Sequence, residues 1–510
     1  MIAPNSLGWF ARHELGLALR DWSAMMSAGK PVRRAVLAAI FVVVTIILHA
    51  IAYALIGSWA GAGIGPDKQT LVWLSGGGLI FFTVMLSQAM ESVTRAYYAR
   101  SDLDLILSSP ANPRALFAVR TSAVALTTVG LAALLAGPAI NVLALTDGAH
   151  WLFAYVVLIA LSAFATALAI FFTAFLFKMV GAKKTRLISQ IAAAVVGAGF
   201  IIGLQVVGIL TYGSLSRFTM LNSADLVAAM PPDTSVIWLP AKAAMGDVAS
   251  LLKVLLAGVG ILTLAIVFAS AGFARYAVAA AGLAHAKSAA QRVRTSFAIL
   301  SQKQSLRAKE FKLLLRDPWL LSQSLMQILY LVPPALMLWL NFGQSSSIYV
   351  VVVPVIVMAS GQLAGGLAWL AISGEDAADL VASAPVSPRD ILVAKIQSVI
   401  GAIALVLTPL LLLIALGSLS AALVTALGCT LAAGSATAIQ LWFRSQAKRS
   451  MFRRRQVSSR VATLSEAFAS ILWAGTAALL ISLPMLAFIP AILATGALVF
   501  AFALRPRGEA

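Results

Sequence analysis

Apolar runs close to a membrane span in length recur from Ala35 to Leu504, and they constrain the fold more than any other feature. A helix needs ~20 apolar residues to cross the hydrocarbon of a bilayer. Of 510 residues, 61% are apolar and 11% charged, with a mean hydropathy of +0.95. Surface-to-volume scaling leaves a soluble chain no way to hide that much apolar surface. In lipid the backbone polar groups must be satisfied within the chain, by helices or by a closed barrel. Barrel strands alternate polar and apolar residues, and these runs do not. The expected fold is all-α and polytopic.

Twelve spans can be drawn. The first six are Ala35–Trp59, Thr70–Val93, Thr121–Leu145, Trp151–Phe175, Leu187–Thr211 and Leu251–Phe273. The second six are Ser324–Asn341, Tyr349–Ile372, Ile391–Leu416, Ala421–Phe443, Ala462–Leu483 and Phe488–Leu504. Every second loop is basic, from Arg33 and Arg34 through Lys178–Arg186 and Lys287–Arg307 to Lys448–Arg455 and Arg505. The intervening loops hold little beyond Lys68, Arg217 and Lys242. Basic loops stay in the cytosol, so both termini are expected there, in a bacterial plasma (inner) membrane. The net charge of +19 would point to nucleic acid in a soluble protein; here it sets orientation, and lipid rather than nucleic acid is the expected partner. The first apolar run follows an amphipathic basic stretch, which is not the pattern of a cleavable signal. The single cysteine, Cys429, allows neither an internal disulfide nor a cysteine-based metal site.

The chain repeats itself. "DLILSSPANPR" from Asp104 to Arg114 aligns with "DLVASAPVSPR" from Asp379 to Arg389. Asp104, Leu105, Ser108, Pro110, Pro113 and Arg114 match Asp379, Leu380, Ser383, Pro385, Pro388 and Arg389, and Arg120 matches Lys395 in charge. "HELGLALRDW" and "KEFKLLLRDPW" form a second pair, with Glu14, Arg20 and Asp21 matching Glu310, Arg316 and Asp317. The offset is 275 residues for the first pair and 296 for the second. Two parallel six-span halves are expected, 1–285 and 286–510.

Each repeated element has a physical reading. The two stretches around Glu14 and Glu310 (the second in 286–323) are too short and too charged to span; such helices lie in the interface, with the charged face toward the cytosol. In the other stretch, Asp102 and Asp104 suit the positive end of a short helix, as do Glu375, Asp376 and Asp379. Pro110 with Pro113, and Pro385 with Pro388, are expected to stop it, giving rigid elements over 101–113 and 375–388. An idle loop needs no such rigidity, whereas one that transmits a push does.

In this order of elements the chain resembles the permease subunits of ABC-type exporters of the second class, the type V fold. "LILSSPANPRALFAVR" and "LVASAPVSPRDILVAK" resemble that family's coupling region, and the resemblance runs through the chain twice, as two fused half-permeases. It implies that Asp102–Pro113 and Glu375–Pro388 each dock a separate ABC ATPase subunit, two copies per chain. ATP and Mg would be bound by that partner and none by this chain. The basic loops Lys178–Arg186 and Arg444–Arg460 lie where the family has a smaller cytosolic contact. The resemblance also implies an outer segment between the fifth and sixth spans, here Gly213–Ser250 with Pro232, Trp238 and Pro240. The second half has only Pro484–Ile489 in that place, so an asymmetric outer gate is expected.

No G-x-x-x-x-G-K-[ST] phosphate loop occurs, so no ATPase site and no enzyme activity are expected of this chain. His13, His49, His150 and His285 are scattered and form no evident cluster. Glu91 and Glu466 fall at cytosolic span ends, where solvated residues are expected. The rival function is an ion-driven secondary transporter with two six-span halves. It calls for broken helices near the midplane, for which Pro333–Pro334 and Pro354 are the candidates. Gln88, Gln190, Gln205 and Gln362 within apolar spans point to a lipophilic or amphiphilic cargo.

Overall fold

The structure is a computed structural model. It describes residues 8–14, 16–17, 34–60, 64–98, 112–212, 224–285, 301–316, 347–373, 383–443 and 460–505, with single positions between 325 and 340. All regular structure among them is helical. In chain order the helices are α1 (Arg34–Ala60), α2 (Lys68–Tyr98), α3 (Pro113–Thr146), α4 (Phe153–Tyr212), the short α5 (Ala224–Ala229) and α6 (Leu239–Ala244), and α7 (Val248–His285). There follow α8 (Gln302–Arg316), α9 (Ser347–Ser373), α10 (Pro388–Gly417), α11 (Leu419–Phe443), α12 (Arg460–Ser482) and α13 (Phe488–Ala503).

Ten segments among the described residues are long and apolar enough to cross a membrane. The chain is thus a multi-pass α-helical membrane protein. The first drawn span coincides with α1, and most of the seventh lies outside the described residues. Large apolar side chains stay uncovered along the spans, Leu55, Leu405 and Leu416 among them, as lipid-facing positions require. Two drawn spans share α4, which is broken at Gly181 (φ 72°, ψ 169°). That backbone conformation suits glycine alone without strain. Phe177 and Ala193, from the two arms, pack in one core cluster, so the chain turns back there. Pro354 sits inside an unbroken α9, so it does not supply the interrupted helix that a secondary transporter would use. Pro334 lies outside the described residues.

The chain divides into two compact units, Met1–Ile201 with Ser216–Ala289, and Ile202–Leu215 with Ala290–Ala510. In the first unit, Phe10 of the N-terminal helical segment is fully buried among Met90, Val93, Leu116, Phe117, Ile170 and Phe177. Small residues bring its helices close: Ser87 Oγ donates to the Ala193 carbonyl at 2.7 Å, and Ser162 Oγ to that of Ala125 at 2.8 Å. In the second unit α9 is central, with Val352, Val353, Ile356, Val357, Leu367 and Trp369 buried against α10, α11 and α12.

Among the described glycines, Gly258 on α7 makes the closest approach to another segment's backbone. A Cβ there would meet the Ala160 carbonyl oxygen at 2.5 Å, whereas at Gly260 it would meet nothing within 4 Å. Backbone cannot swing aside as a side chain can. Gly258→Ala should therefore cost about 1–3 kcal/mol, the range for overpacking, and Gly260→Ala should cost nothing or stabilise; thermal unfolding in detergent compares them.

Candidate functional site

The repeated stretches end alike. Asn112 caps α3, its Oδ1 accepting from Arg114 N–H at 3.0 Å, with Pro113 at the first helical position. Ser387 caps α10, its Oγ accepting from Asp390 N–H at 3.1 Å, with Pro388 at the first position. Proline suits that position, where its missing N–H would have had no partner. Pro113 and Pro388 therefore open the next helix; residues 101–111 and 375–382 of the elements drawn as 101–113 and 375–388 lie outside the described residues. Ser383–Ser387 is turn and bend, with Ser383 and Pro385 exposed. Arg114 and Arg389 are exposed at the two helix starts. Asp102, Asp104, Leu105, Ser108, Pro110, Glu375, Asp376, Asp379 and Leu380 lie outside the described residues.

Seven residues into each of these helices stands a buried cation. Arg120 Nε donates to Glu14 Oε1 at 3.0 Å, with the side chains 3% and 5% exposed. Lys395 Nζ donates to Glu310 Oε2 at 3.1 Å, with side chains 13% and 1% exposed, and it also bonds the Ala371 carbonyl. Glu310 holds Lys309 as well, at 3.4 Å. Each pair joins one repeated stretch to the other, although the sequence shows them only as separate matches. The glutamates thus turn into the protein, not onto the charged outer face expected of the interfacial helices. A charge that cannot stay solvated needs a partner; a charge kept at both ends of two repeats is the sequence signal for such a pair. In the second unit, Gln302 Nε2 of α8 also donates to the Pro385 carbonyl at 3.0 Å, and Lys303 lies 3.8 Å from Asp390 at the surface. Arg20, Asp21 and Asp317 lie outside the described residues; Arg316 ends α8, and its side chain is likewise outside them.

The outer-segment residues come together. Trp238 is buried with Leu71, Val72 and Ala241, and its Nε1 donates to the Pro232 carbonyl at 3.1 Å. Pro240 opens the short α6. Lys242 Nζ donates to the Asp233 carbonyl and Lys68 Nζ to that of Ala228, so the segment is tied to itself and to the start of α2. The turn Pro484–Leu486, expected in the corresponding place, buries nothing.

Glu466 departs from expectation. It is not solvated but 3% exposed, with Gln440 Nε2 donating to its Oε2 at 2.5 Å and Gly365 leaving room for its carboxyl group. A side chain at position 365 would occupy that space. Glu91 is half-buried. No group of three or more His, Cys, Asp or Glu among the described residues could hold a metal ion.

No protein-family model, curated protein or solved structure matches the chain. Fold and side chains define a polytopic helical membrane protein with two separately paired charge clamps.

Removing one member of a buried pair strands the other. Glu14→Ala, Arg120→Ala, Glu310→Ala and Lys395→Ala should each destabilise by about 3–5 kcal/mol. Each double variant should cost clearly less than the sum of its two singles, a non-additivity read in thermal unfolding. A solvated carboxylate behaves differently. Asp247 caps α7, accepting from Ser250 Oγ and from the N–H groups of Ser250 and Ala249, and the Ser250 hydroxyl foremost holds its carboxyl below the usual carboxylate range. Its contribution is complete above the usual carboxylate range and is lost as pH falls through the lower native value. The stability gap between the unsubstituted chain and Asp247→Ala should be open at pH ~7 and close under strong acid.

Proposed function

We propose that the chain is the transmembrane subunit of an ATP-driven exporter, built as two parallel six-span halves, twelve spans in all. It forms the pathway for a lipophilic or amphiphilic substrate, and separate ABC ATPase subunits bind ATP and Mg. It sits in a bacterial inner membrane with both termini cytosolic. The observation that carries this reading is the doubled clamp. In each half a capped helix start with an exposed arginine follows the repeated stretch. Two turns further in, a buried ion pair fastens that helix to the amphipathic one. A push on the stretch would then move two helices as one body, and α3 extends ~51 Å from its capped start. The capping and the pairing occur twice, which supports one motor subunit for each repeated stretch. Trp238 and its neighbours would form an outer gate in the first half only.

The chain alone should hydrolyse no ATP, and a soluble ATPase should copurify with it at two copies per chain, counted by native mass measurement. Leu105→Asp with Leu380→Asp would force charges into the partner's clefts, at a cost of several kcal/mol each by the order of buried polar penalties. That double variant should lose copurification at least ~100-fold. Unchanged copurification, or a one-to-one complex, would contradict the reading. The buried Glu466 favours a second reading, an ion-driven secondary transporter; transport abolished by ionophore and by Glu466→Gln, with no ATPase bound, would establish it.

A further inference from the structure

Polar side chains are costly among membrane spans, and three of them, from three helices of the first unit, join end to end. His49 stands on α1, and its Nδ1 lies 2.8 Å from the Thr45 carbonyl oxygen one turn back. Its Nε2 lies 3.0 Å from Nδ2 of Asn141 on α3. Oδ1 of the same amide accepts from the Tyr155 hydroxyl of α4 at 2.8 Å. That hydroxyl also lies 3.4 Å from the Gly137 carbonyl oxygen. All three side chains are half-buried. Asn141 lies 21 residues beyond Arg120 on α3, ~30 Å along the helix, so this chain of groups is separate from the clamp.

Donors and acceptors fix the state of the ring. A carbonyl oxygen only accepts, so Nδ1 carries the hydrogen, and Nε2 of the neutral imidazole accepts from the Asn141 amide. A proton added to Nε2 would set two donors head to head. Turning the amide over resolves this. Oδ1 then accepts from Nε2–H, Nδ2 donates to the Tyr155 oxygen, and the phenol hydrogen goes to the Gly137 carbonyl already within reach. Both arrangements satisfy every group, and one proton separates them.

Of the helices packed on α3, α2 carries Lys68 at its start, bonded to the Ala228 carbonyl, with Glu91 and Arg95 near its other end, and α7 carries the exposed Lys253. On α1 the other titratable residues are Arg34, at its start, and Tyr53, which is exposed. On α3, beyond Asn141, the nearest charge is Asp147 at the helix end, engaged by Ile64 N–H, Trp151 and His150. On α4, beyond Tyr155, the first charged residue is Lys178. The geometry points to a one-proton binding site at Nε2 of His49, with Asn141 and Tyr155 as the switch that accommodates the proton. At the offset of 275 residues Leu416 stands where the first stretch has Asn141, so the aligned position does not repeat the site.

The test uses the purified full chain in lipid nanodiscs with 15N-labelled histidine and asparagine. Four histidines are present, and replacing each in turn assigns their signals. His49 should show the Nδ1–H tautomer at high pH and a doubly protonated ring on acidification. The Asn141 side-chain amide signal should move with the same midpoint. Asn141→Asp supplies an acceptor that suits only the protonated ring, so His49 should bind its proton ~10-fold more tightly or better. A ring that stays neutral at every pH overturns the site, as does an Nε2–H tautomer at high pH. Titration without a coincident change at Asn141 overturns the switch, and that measurement needs no variant to fold. None of these outcomes depends on whether an ATPase copurifies, so this inference and the exporter reading fail separately.

Discussion

Hydrocarbon cannot hydrogen-bond a peptide group, and every other feature of this chain is arranged around that constraint. Helices meet it for the backbone. Hydroxyls meet it locally, returning to carbonyls a turn back, as Thr121, Thr128, Thr425 and Thr476 do. Helix association then rests on close packing, for which small residues serve best, at Ser87 against Ala193 and Gly197 and at Gly361 beneath Ser470. Ionised groups are the hardest to accommodate, because their desolvation cost is repaid only by a partner with good geometry.

The two clamps meet that demand with different chemistry. Arg120 offers a rigid, always charged fork, of which Nε faces Glu14. Lys395 is a point charge that divides itself between Glu310 and a backbone carbonyl, while Glu310 also holds Lys309. The second clamp is therefore a small network, and α8 reaches from it toward Pro385 as well. An arginine in place of Lys395 would bring a fork where the Ala371 carbonyl needs a single donor, so the two clamps are matched in charge but not interchangeable in shape.

The apolar spans are legible in the sequence because length and hydropathy alone specify them. Their ends are not. The third and ninth drawn spans begin at Thr121 and Ile391, but the helices begin at Pro113 and Pro388, because side-chain caps and proline outweigh the polar residues that follow. The clamp is half legible: both glutamates and both cations recur, yet only packing reveals that they meet. Glu466 misleads because its place in the second turn of α12 resembles an interface, and the space that buries it comes from Gly365 on another helix. His49, Asn141 and Tyr155 are not legible at all. They are separated by 92 and 14 residues and belong to no repeat, so nothing short of the folded arrangement links them.

The turn at Gly181 bears on how the protein is made. The two arms of α4 are joined so tightly that the basic residues Lys178, Lys183, Lys184 and Arg186 all lie within or beside the bend. A newly synthesised chain leaves the ribosome one residue at a time, and here the second arm follows the first with only a bend at Gly181 between them. On the topology proposed above, with the tip cytosolic, the pair would enter the bilayer as a single hairpin, and the four cations at the tip would act as the anchor that keeps it from being drawn across. Lengthening that bend would leave the finished fold's contacts intact while giving the translocation machinery two independent decisions where it now has one.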